Sequence, residues 1–295
     1  MSKSKVYFTK EITPESLIKI YQALNINLPG KVGVKVSTGE AGAKGYLKAS
    51  LIGPFVKSLN GTIVECNTAY PGERNKAKDH LKVAKDHGFT DFADVDILDA
   101  DDEFKIPFEK GKFLKYDLVG THFNDYDSFV NLAHGKGHAM GGFGANLKNQ
   151  SIGFASRNGK AYIHSCGKTE SPVRCWISKH DQIDFIHSMA EAATAVADYL
   201  KEQGKPIIYI TVMNAISLDC DCDAHQGNPV MADLGIVAST DPVANDQAFI
   251  DMIWNSDDPG AKELQERIDS RLGREILPYA ESLGLGSRDY ELITI

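Results

Sequence analysis

Two short segments hold most of the side chains that could do chemistry. The first is Asp219–Asp223, in which Cys220 and Cys222 alternate with three carboxylates, and His225 follows two residues later. Zinc and iron bind well to thiolates, and a cation would offset the repulsion between the carboxylates and a deprotonated thiol. We therefore predict that Cys220 and Cys222 bind a divalent metal ion, zinc or iron. The alternative is a solvated acidic turn with two reduced cysteines.

The second segment is His134–Lys160, which contains seven glycines and no acidic residue. Glycine lets a backbone approach a ligand closely, so we predict a site-forming loop that contributes little to the core. His134 and His138 have H-x3-H spacing, but glycines between them disfavour a helix and no glutamate follows the first histidine, which excludes the zinc-protease motif. Together with His122, which follows a predicted strand, they are candidate metal ligands. A structural hydrogen bond is the alternative for each histidine.

Within that segment, Gly141–Lys148 (GGFGANLK) is similar to loops that hold phosphate through backbone N–H groups and a lysine. It matches neither the P-loop nor the dinucleotide-binding fingerprint. We predict that Gly142 and Gly144 line an anion site and that Lys148 and Asn149 are catalytic. A lysine in this setting can pair with an anion, form a Schiff base or act as a general base. The alternative is a lysine that caps a loop.

The composition narrows the class of protein. The 295 residues carry a formal net charge of −8, whereas a nucleic-acid-binding protein usually shows a basic surplus. We expect neither a nucleic-acid partner nor a membrane partner, since no apolar run is long enough to span a bilayer and the N-terminus lacks the apolar core of a signal peptide. Five cysteines at irregular spacing are typical of reduced thiols, so a cytoplasmic location is expected.

Apolar periodicity predicts the elements that must position these residues. Gln182–Glu202 has apolar residues on one helical face, and Ile207–Val212 is continuously apolar, as in a buried strand. Strands alternate with helices along the chain, which indicates an α/β fold with helices layered around a mixed, partly parallel sheet. We predict one domain over residues 1–295, with two lobes and a cleft as the alternative arrangement.

Several motifs, taken together and in order, resemble the DUF362 family of uncharacterised proteins, often described as iron-sulfur center proteins. The matching motifs are Cys66–Arg74 (CNTAYPGER), the Gly137-His138 step, Gly141–Asn149 with Ala155–Arg157, Asp219–Cys222 and Asp233–Ala244.

The resemblance implies roles for residues inside these motifs. It favours His138 over His134 as the metal ligand. It also adds Arg74 and Arg157, whose guanidinium groups could clamp a carboxylate or phosphate, and Tyr70 as a further substrate-binding residue.

The chain differs from many family members in one respect. Those members carry a ferredoxin-like cassette, which requires closely spaced cysteines of the C-x2-C-x2-C-x3-C-P type. This chain has only Cys166 and Cys175 at the corresponding place, before the helix that begins at Gln182. An iron-sulfur cluster is therefore not expected.

The sequence thus predicts a metal-binding protein with a Cys/His site beside a glycine-rich segment. Two readings of its function stay open: an enzyme that acts on a small anionic molecule, or a non-catalytic metal or cofactor carrier that lost the electron-transfer module. The model of the site requires His138 to face Cys222 across a cleft. The sequence does not determine the oligomeric state.

Overall fold

A computed structural model describes residues 3–224 and 226–295, so the candidate His225 lies outside the described residues. The strands are β1 (Ser4–Thr9), β2 (Val32–Lys35), β3 (Thr62–Glu65), β4 (Val95–Ile97), β5 (Glu103–Pro107), β6 (Tyr116–Gly120), β7 (Ser128–His134), β8 (Lys136–His138), β9 (Gly142–Gly144), β10 (Ile207–Met213), β11 (Gly235–Ser239) and β12 (Tyr290–Thr294). The α-helices are α1 (Pro14–Leu24), α2 (Ala49–Ser58), α3 (Ala77–Asp86), α4 (Asn146–Lys148), α5 (Arg157–His164), α6 (Gln182–Glu202), α7 (Pro242–Trp254), α8 (Ala261–Ser270) and α9 (Ile276–Ser282).

The main sheet has the strand order β12-β1-β11-β10-β7-β2-β3-β4 in the described part of the chain. From β10 to β4 all neighbouring strands are parallel, whereas β11 is antiparallel to both β1 and β10. The predicted α/β fold with a mixed, partly parallel sheet is therefore confirmed. Strands from both ends of the chain share this sheet.

Both faces of the sheet are covered, which explains why its central strands are apolar. All seven residues of β7 are buried, and so are all but the first residue of β10. One core contains the apolar residues of α1 and α2 with one face of the sheet, and another contains those of α6 to α9 with the opposite face. The sheet is thus the middle layer between two helical layers.

Local sequence signals placed several helix boundaries correctly. Helix α6 spans the 21 residues that periodicity predicts. The carboxylate of Asp241 accepts hydrogen bonds from the backbone N–H groups of Val243 and Ala244, so it caps α7 as its position before a proline predicts. The segment Ala261–Leu283 forms two helices instead of one, because Leu272 adopts a left-handed φ of 52° between α8 and α9.

The glycine-rich segment is not a loop, and the prediction that it contributes little to the core is wrong. It forms the β8–β9 hairpin and then α4, which continues into a π-helical turn over Asn149–Gly153 and leads to α5. Phe143 and Leu147 are buried in the core. Its glycines permit close packing: a Cβ atom on Gly137 would lie 2.3 Å from the carbonyl oxygen of Leu218.

Among the described residues, no helix combines the length and the apolar character needed to cross a membrane.

Candidate functional site

A cavity of about 460 Å³ opens at the carboxyl edge of the parallel strands. Lys35 ends β2 and Glu65 ends β3, and both side chains line the cavity. The segment from β8 to α5 supplies another part of the wall, including His138 and Lys148. The carboxyl edge of a parallel sheet is where α/β proteins usually bind ligands. The position of the cavity therefore favours a ligand-binding role.

Basic side chains dominate the charge of the wall. Lys35, Arg74, Lys148 and Lys160 line the cavity, and Glu65 is the acidic residue among its lining residues in the described part of the chain. This balance suits an anionic ligand.

The carboxylates of Glu65 and Glu40 pair with two of these basic groups in a buried network. The ammonium of Lys35 lies 2.8 Å from Glu65 Oε2, and Arg74 contacts Glu65 Oε1 at 3.4 Å and Glu40 Oε2 at 3.2 Å. Burial by itself would raise the pKa of the Glu65 carboxyl, but the Lys35 ammonium and its other partners hold that pKa well below the usual range. The resemblance implied that Arg74 clamps a substrate, and in the structure its guanidinium is paired with the carboxylates of Glu40 and Glu65.

Tyr70 also lines the cavity, and its hydroxyl belongs to the same network. The Tyr70 hydroxyl donates to Glu40 Oε2 at 3.0 Å and accepts from Arg74 at 2.9 Å. Burial raises its pKa to about 12, so the hydroxyl stays protonated at neutral pH. It also lies 3.4 Å from the carbonyl oxygen of Cys222, which ties the cysteine turn to this wall.

Lys148 is half-buried and differs from the buried Lys35, Lys136 and Lys160, because its ammonium has no hydrogen-bond or ion-pair partner among the described residues. Its side chain lines both the large cavity and a smaller one of about 40 Å³. Burial, and next the positive charge of Lys35, lowers its pKa to about 8. Near neutral pH this amine can therefore exist in both protonation states, which suits an anion-binding group or a general acid–base group.

His138 faces Cys222, as the model of the site requires, with Nε2 4.0 Å from Sγ. Its Nδ1 accepts hydrogen bonds from the backbone N–H groups of Met140 at 3.2 Å and Gly141 at 2.7 Å. Burial lowers the pKa of the ring well below its usual value, so the imidazole is neutral. Because Nδ1 is an acceptor, the single proton of the neutral ring lies on Nε2 and points towards the cysteine turn.

Cys220, Cys222 and His138 form a group whose ligand atoms all lie within 4.8 Å of one another, so it could hold a metal ion. The prediction of two reduced thiols is wrong here, because Cys220 and Cys222 form a disulfide. A disulfide sulfur lacks the negative charge of a thiolate ligand, so metal binding requires reduction of the pair. A metal on His138 Nε2 would in addition require the other tautomer, in which Nδ1 could no longer accept from Gly141.

The acidic residue between the cysteines has a structural partner. Asp221 lies 2.6 Å from the Lys136 ammonium and 3.2 Å from His134 Nδ1, all buried. Burial alone would raise the pKa of Asp221, but Lys136 and His134 lower it below the ordinary value. The ring of His134 is therefore paired with Asp221. It lines the smaller cavity together with Cys220 and Gly144.

Three predicted site residues lie away from the cavity. His122 contacts Asp96 at 2.8 Å and Asp101 at 2.9 Å through its two ring nitrogens, so it is not part of the Cys/His group. Arg157 is exposed at the start of α5. Gly142 packs against α8, where an added Cβ would lie 2.9 Å from the carbonyl oxygen of Ile268.

Asn149, predicted to be catalytic, lines the cavity, but its amide is held by protein groups. Its Nδ2 donates to Asn131 at 2.6 Å and to the Lys35 carbonyl oxygen at 3.1 Å, and its Oδ1 accepts from the Lys35 ammonium at 3.2 Å. These bonds orient Lys35 and connect the π-helical turn after α4 to the sheet, so the amide of Asn149 positions its neighbours.

Sequence reasoning missed several residues of the wall, among them Lys35, Glu65, Lys160, His164 and Trp176. Lys35 and Glu65 could have been found from the sequence. Each is a charged residue at the last position of an apolar parallel strand, which is the edge where ligands bind. His164 and Trp176 carried none, because the turn that brings them together has no recognisable motif. Their ring centroids are 5.0 Å apart.

The solved structures that resemble this chain include two with low sequence identity. The lactate racemase apoprotein from Thermoanaerobacterium thermosaccharolyticum matches with a TM-score of 0.47 and 13% identity, over 85% of this chain and 57% of that one. A protein from Thermotoga maritima matches with a TM-score of 0.45 and 12% identity, over 89% of this chain and 59% of that one. The chain thus spans less than two thirds of the length of either structure.

None of the curated proteins compared with the chain matches it. The family model described as domain of unknown function DUF362 matches residues 32–251, which is most of the chain and includes the strands and turns that build the cavity. The motif resemblance is therefore confirmed, and the chain belongs to the DUF362 family.

Proposed function

We propose that the protein is an enzyme that binds a small oxyanion, a carboxylate or a phosphate, in the cavity at the carboxyl edge of the sheet. Lys148 is the group that holds this anion. The observation that carries the proposal is that the ammonium of Lys148, a half-buried residue, has no partner among the described residues, although the other basic groups around it do. A cation held partly out of water without a partner is costly unless a ligand completes its contacts.

The enclosure of the site supports an enzyme over a simple carrier. Enzymes need a pre-organised polar pocket, whereas a carrier can hold a metal at an open turn. Here Asn149 and Glu65 fix Lys35, and Lys160 donates to the carbonyl oxygen of Ala155. Lys148 is the basic group left to respond to a ligand, and a pKa of about 8 lets it give or accept a proton near neutral pH.

Calorimetric titration with inorganic phosphate and with acetate tests this proposal. We expect Lys148→Gln to weaken the binding of both anions roughly tenfold or more, because a charge-assisted hydrogen bond is lost. The matched control is Lys201→Gln, which removes an exposed lysine from α6. Equal affinities in the wild type and Lys148→Gln would remove the basis of the proposal.

A metal-binding role is the second candidate, favoured by the group formed by Cys220, Cys222 and His138. After reduction, two thiolates would suit zinc or iron, and the metal would supply a Lewis acid beside the anion site. His138 could join them only by exchanging its tautomer. We expect elemental analysis of protein purified under reducing conditions without chelator to show stoichiometric zinc or iron, and the double substitution Cys220→Ser, Cys222→Ser to abolish it.

Far-ultraviolet circular dichroism of the double variant checks that it folds, because a structural metal can also hold a fold together. Absence of metal from the wild type, or equal metal in both proteins, would rule out this candidate. The anion proposal would be untouched by that result.

A further inference from the structure

The wall of the cavity contains apolar surface that a bare anion would not cover. Ile152 follows Lys148 by four residues in the chain, and both line the cavity, so its wall combines an unpaired ammonium with an apolar side chain. Met140 and Trp176 also line it and are 36% and 41% exposed. Large apolar side chains left exposed inside a concave site mark surface that a ligand covers.

The ring of His164 extends this surface without adding charge. It stacks on Phe185 with a centroid distance of 5.0 Å, and Trp176 approaches it at the same distance with an interplanar angle of 45°. Burial lowers the pKa of His164 to about 3, so the ring is neutral at physiological pH. Neither ring nitrogen has a hydrogen-bond partner among the described residues, and Nδ1 is buried.

The volume of the cavity also indicates a ligand larger than a bare anion. A volume of about 460 Å³ falls in the range of roughly 300–1,000 Å³ that is usual for sites of drug-sized ligands. A phosphate or acetate ion, only a few times the roughly 30 Å³ of a water molecule, would leave most of it filled with solvent. The site is therefore built for an anion with a body attached to it.

We infer that the ligand is an oxyanion carried on a flat apolar ring, with the anion at Lys148 and the ring against Trp176, Met140 and Ile152. This inference rests on the proposed anion site and adds the class of ligand. The basic groups recognise the charge, while the aromatic and aliphatic side chains select for the ring.

Calorimetric titration with two matched pairs of probes tests the inference: inorganic phosphate against phenyl phosphate, and acetate against phenylacetate. We expect the phenyl group to raise affinity roughly tenfold or more in each pair, because the ring is removed from water. Trp176→Ala should abolish most of this gain and leave the affinity for inorganic phosphate unchanged. Ile177→Ala is the control, since Ile177 is the adjacent residue and is 80% exposed outside the cavity.

The outcomes separate the two proposals. If inorganic phosphate binds and depends on Lys148 but the phenyl group adds no affinity, the inferred ligand class is wrong and the anion site stands. An equal loss of affinity for both phosphate probes in Trp176→Ala would also overturn the ligand class. If phenyl phosphate binds equally well to Lys148→Gln, the anion site fails. Absence of binding by all four probes overturns both.

Discussion

Lys148 shows how little the type of a residue says about its role. The three buried lysines of the site region have hydrogen-bond partners: Lys35 has Glu65, Lys136 has Asp221, and Lys160 has a backbone carbonyl oxygen. Lys148 lies among them without a partner, and burial lowers its pKa to about 8 from the ordinary 10.5. A structural lysine in this region therefore has a carboxylate or carbonyl oxygen beside its ammonium, and the candidate reactive lysine has none among the described residues.

Replacement of Lys148 by methionine should raise the free energy of unfolding by about 1–2 kcal/mol at pH 7, because a charged group no longer has to be buried. The pKa is lower in the folded protein than in the unfolded chain, so the wild type gains stability as the pH rises from about 8 to 10.5. The advantage of the variant should shrink over that range. Urea unfolding at pH 7 and pH 10 measures this; an advantage that does not change with pH would contradict the assignment.

Asp221 should be essential to the fold of the site. Asp221→Asn leaves the buried Lys136 ammonium without a compensating charge, and we expect a loss of about 3–5 kcal/mol in the free energy of unfolding. The control is Asp219→Asn, which breaks a more exposed ion pair to Arg267 and should cost below about 1 kcal/mol. Chemical denaturation measures both, and equal effects would show that Lys136 does not depend on Asp221.

At the scale of elements, the β8–β9 hairpin illustrates two different uses of glycine. Gly142 has a φ of 81° and lies against the backbone of Gly273, so it is required by packing. Gly144 faces the smaller cavity, and an added Cβ would meet only Lys148 Cδ, at 4.0 Å. Both glycines were predicted to line an anion site, but only Gly144 lies at a cavity.

The two glycines therefore respond differently to the same substitution. Gly142→Ala should lower the free energy of unfolding by about 1–3 kcal/mol, through backbone strain and the clash with α8. Gly144→Ala should leave stability within about 0.5 kcal/mol of the wild type. Thermal unfolding of the two variants compares them directly, and a similar shift in both midpoints would refute this distinction.

At the scale of the whole molecule, one carboxylate on α6 joins distant parts of the chain. Glu191 is fully buried and accepts hydrogen bonds from the backbone N–H groups of Lys112, Phe113 and Leu114, and from the Tyr279 hydroxyl on α9. Through Glu191, helix α6 thus binds both the turn before β6 and the C-terminal helix α9.

Glu191→Gln should destabilise the protein by about 2–3 kcal/mol, because an amide N–H₂ would face backbone donors that now share a carboxylate. Glu202→Gln, at the exposed end of the same helix, is the control and should have little effect. We expect a lower urea midpoint with an unchanged m-value. An unaltered midpoint would show that Tyr279 and the turn are held by other contacts.

The sequence by itself determined the features that depend on neighbouring residues. Periodicity defines α6, the Asp-Pro step defines the start of α7, and the order of motifs identifies the family. Local patterns failed where packing between distant segments decides the structure. The glycine-rich segment lacks a long apolar run, so it was predicted to be a loop, although contacts with α6, α7 and α8 fold it into buried elements.

The residues of the candidate site likewise include some that the sequence predicts and others that only the tertiary structure reveals. Lys148, His138 and Cys222 could be selected from residue type and motif, and all three line the cavity. Only the tertiary structure decided that Lys35 and Glu65 pair there, because β2 lies beside β3 in the sheet, while His122 binds carboxylates elsewhere. The order of strands places residues far apart in the chain side by side. No local pattern of residues encodes that order, which is why the partners of each charged group were beyond prediction.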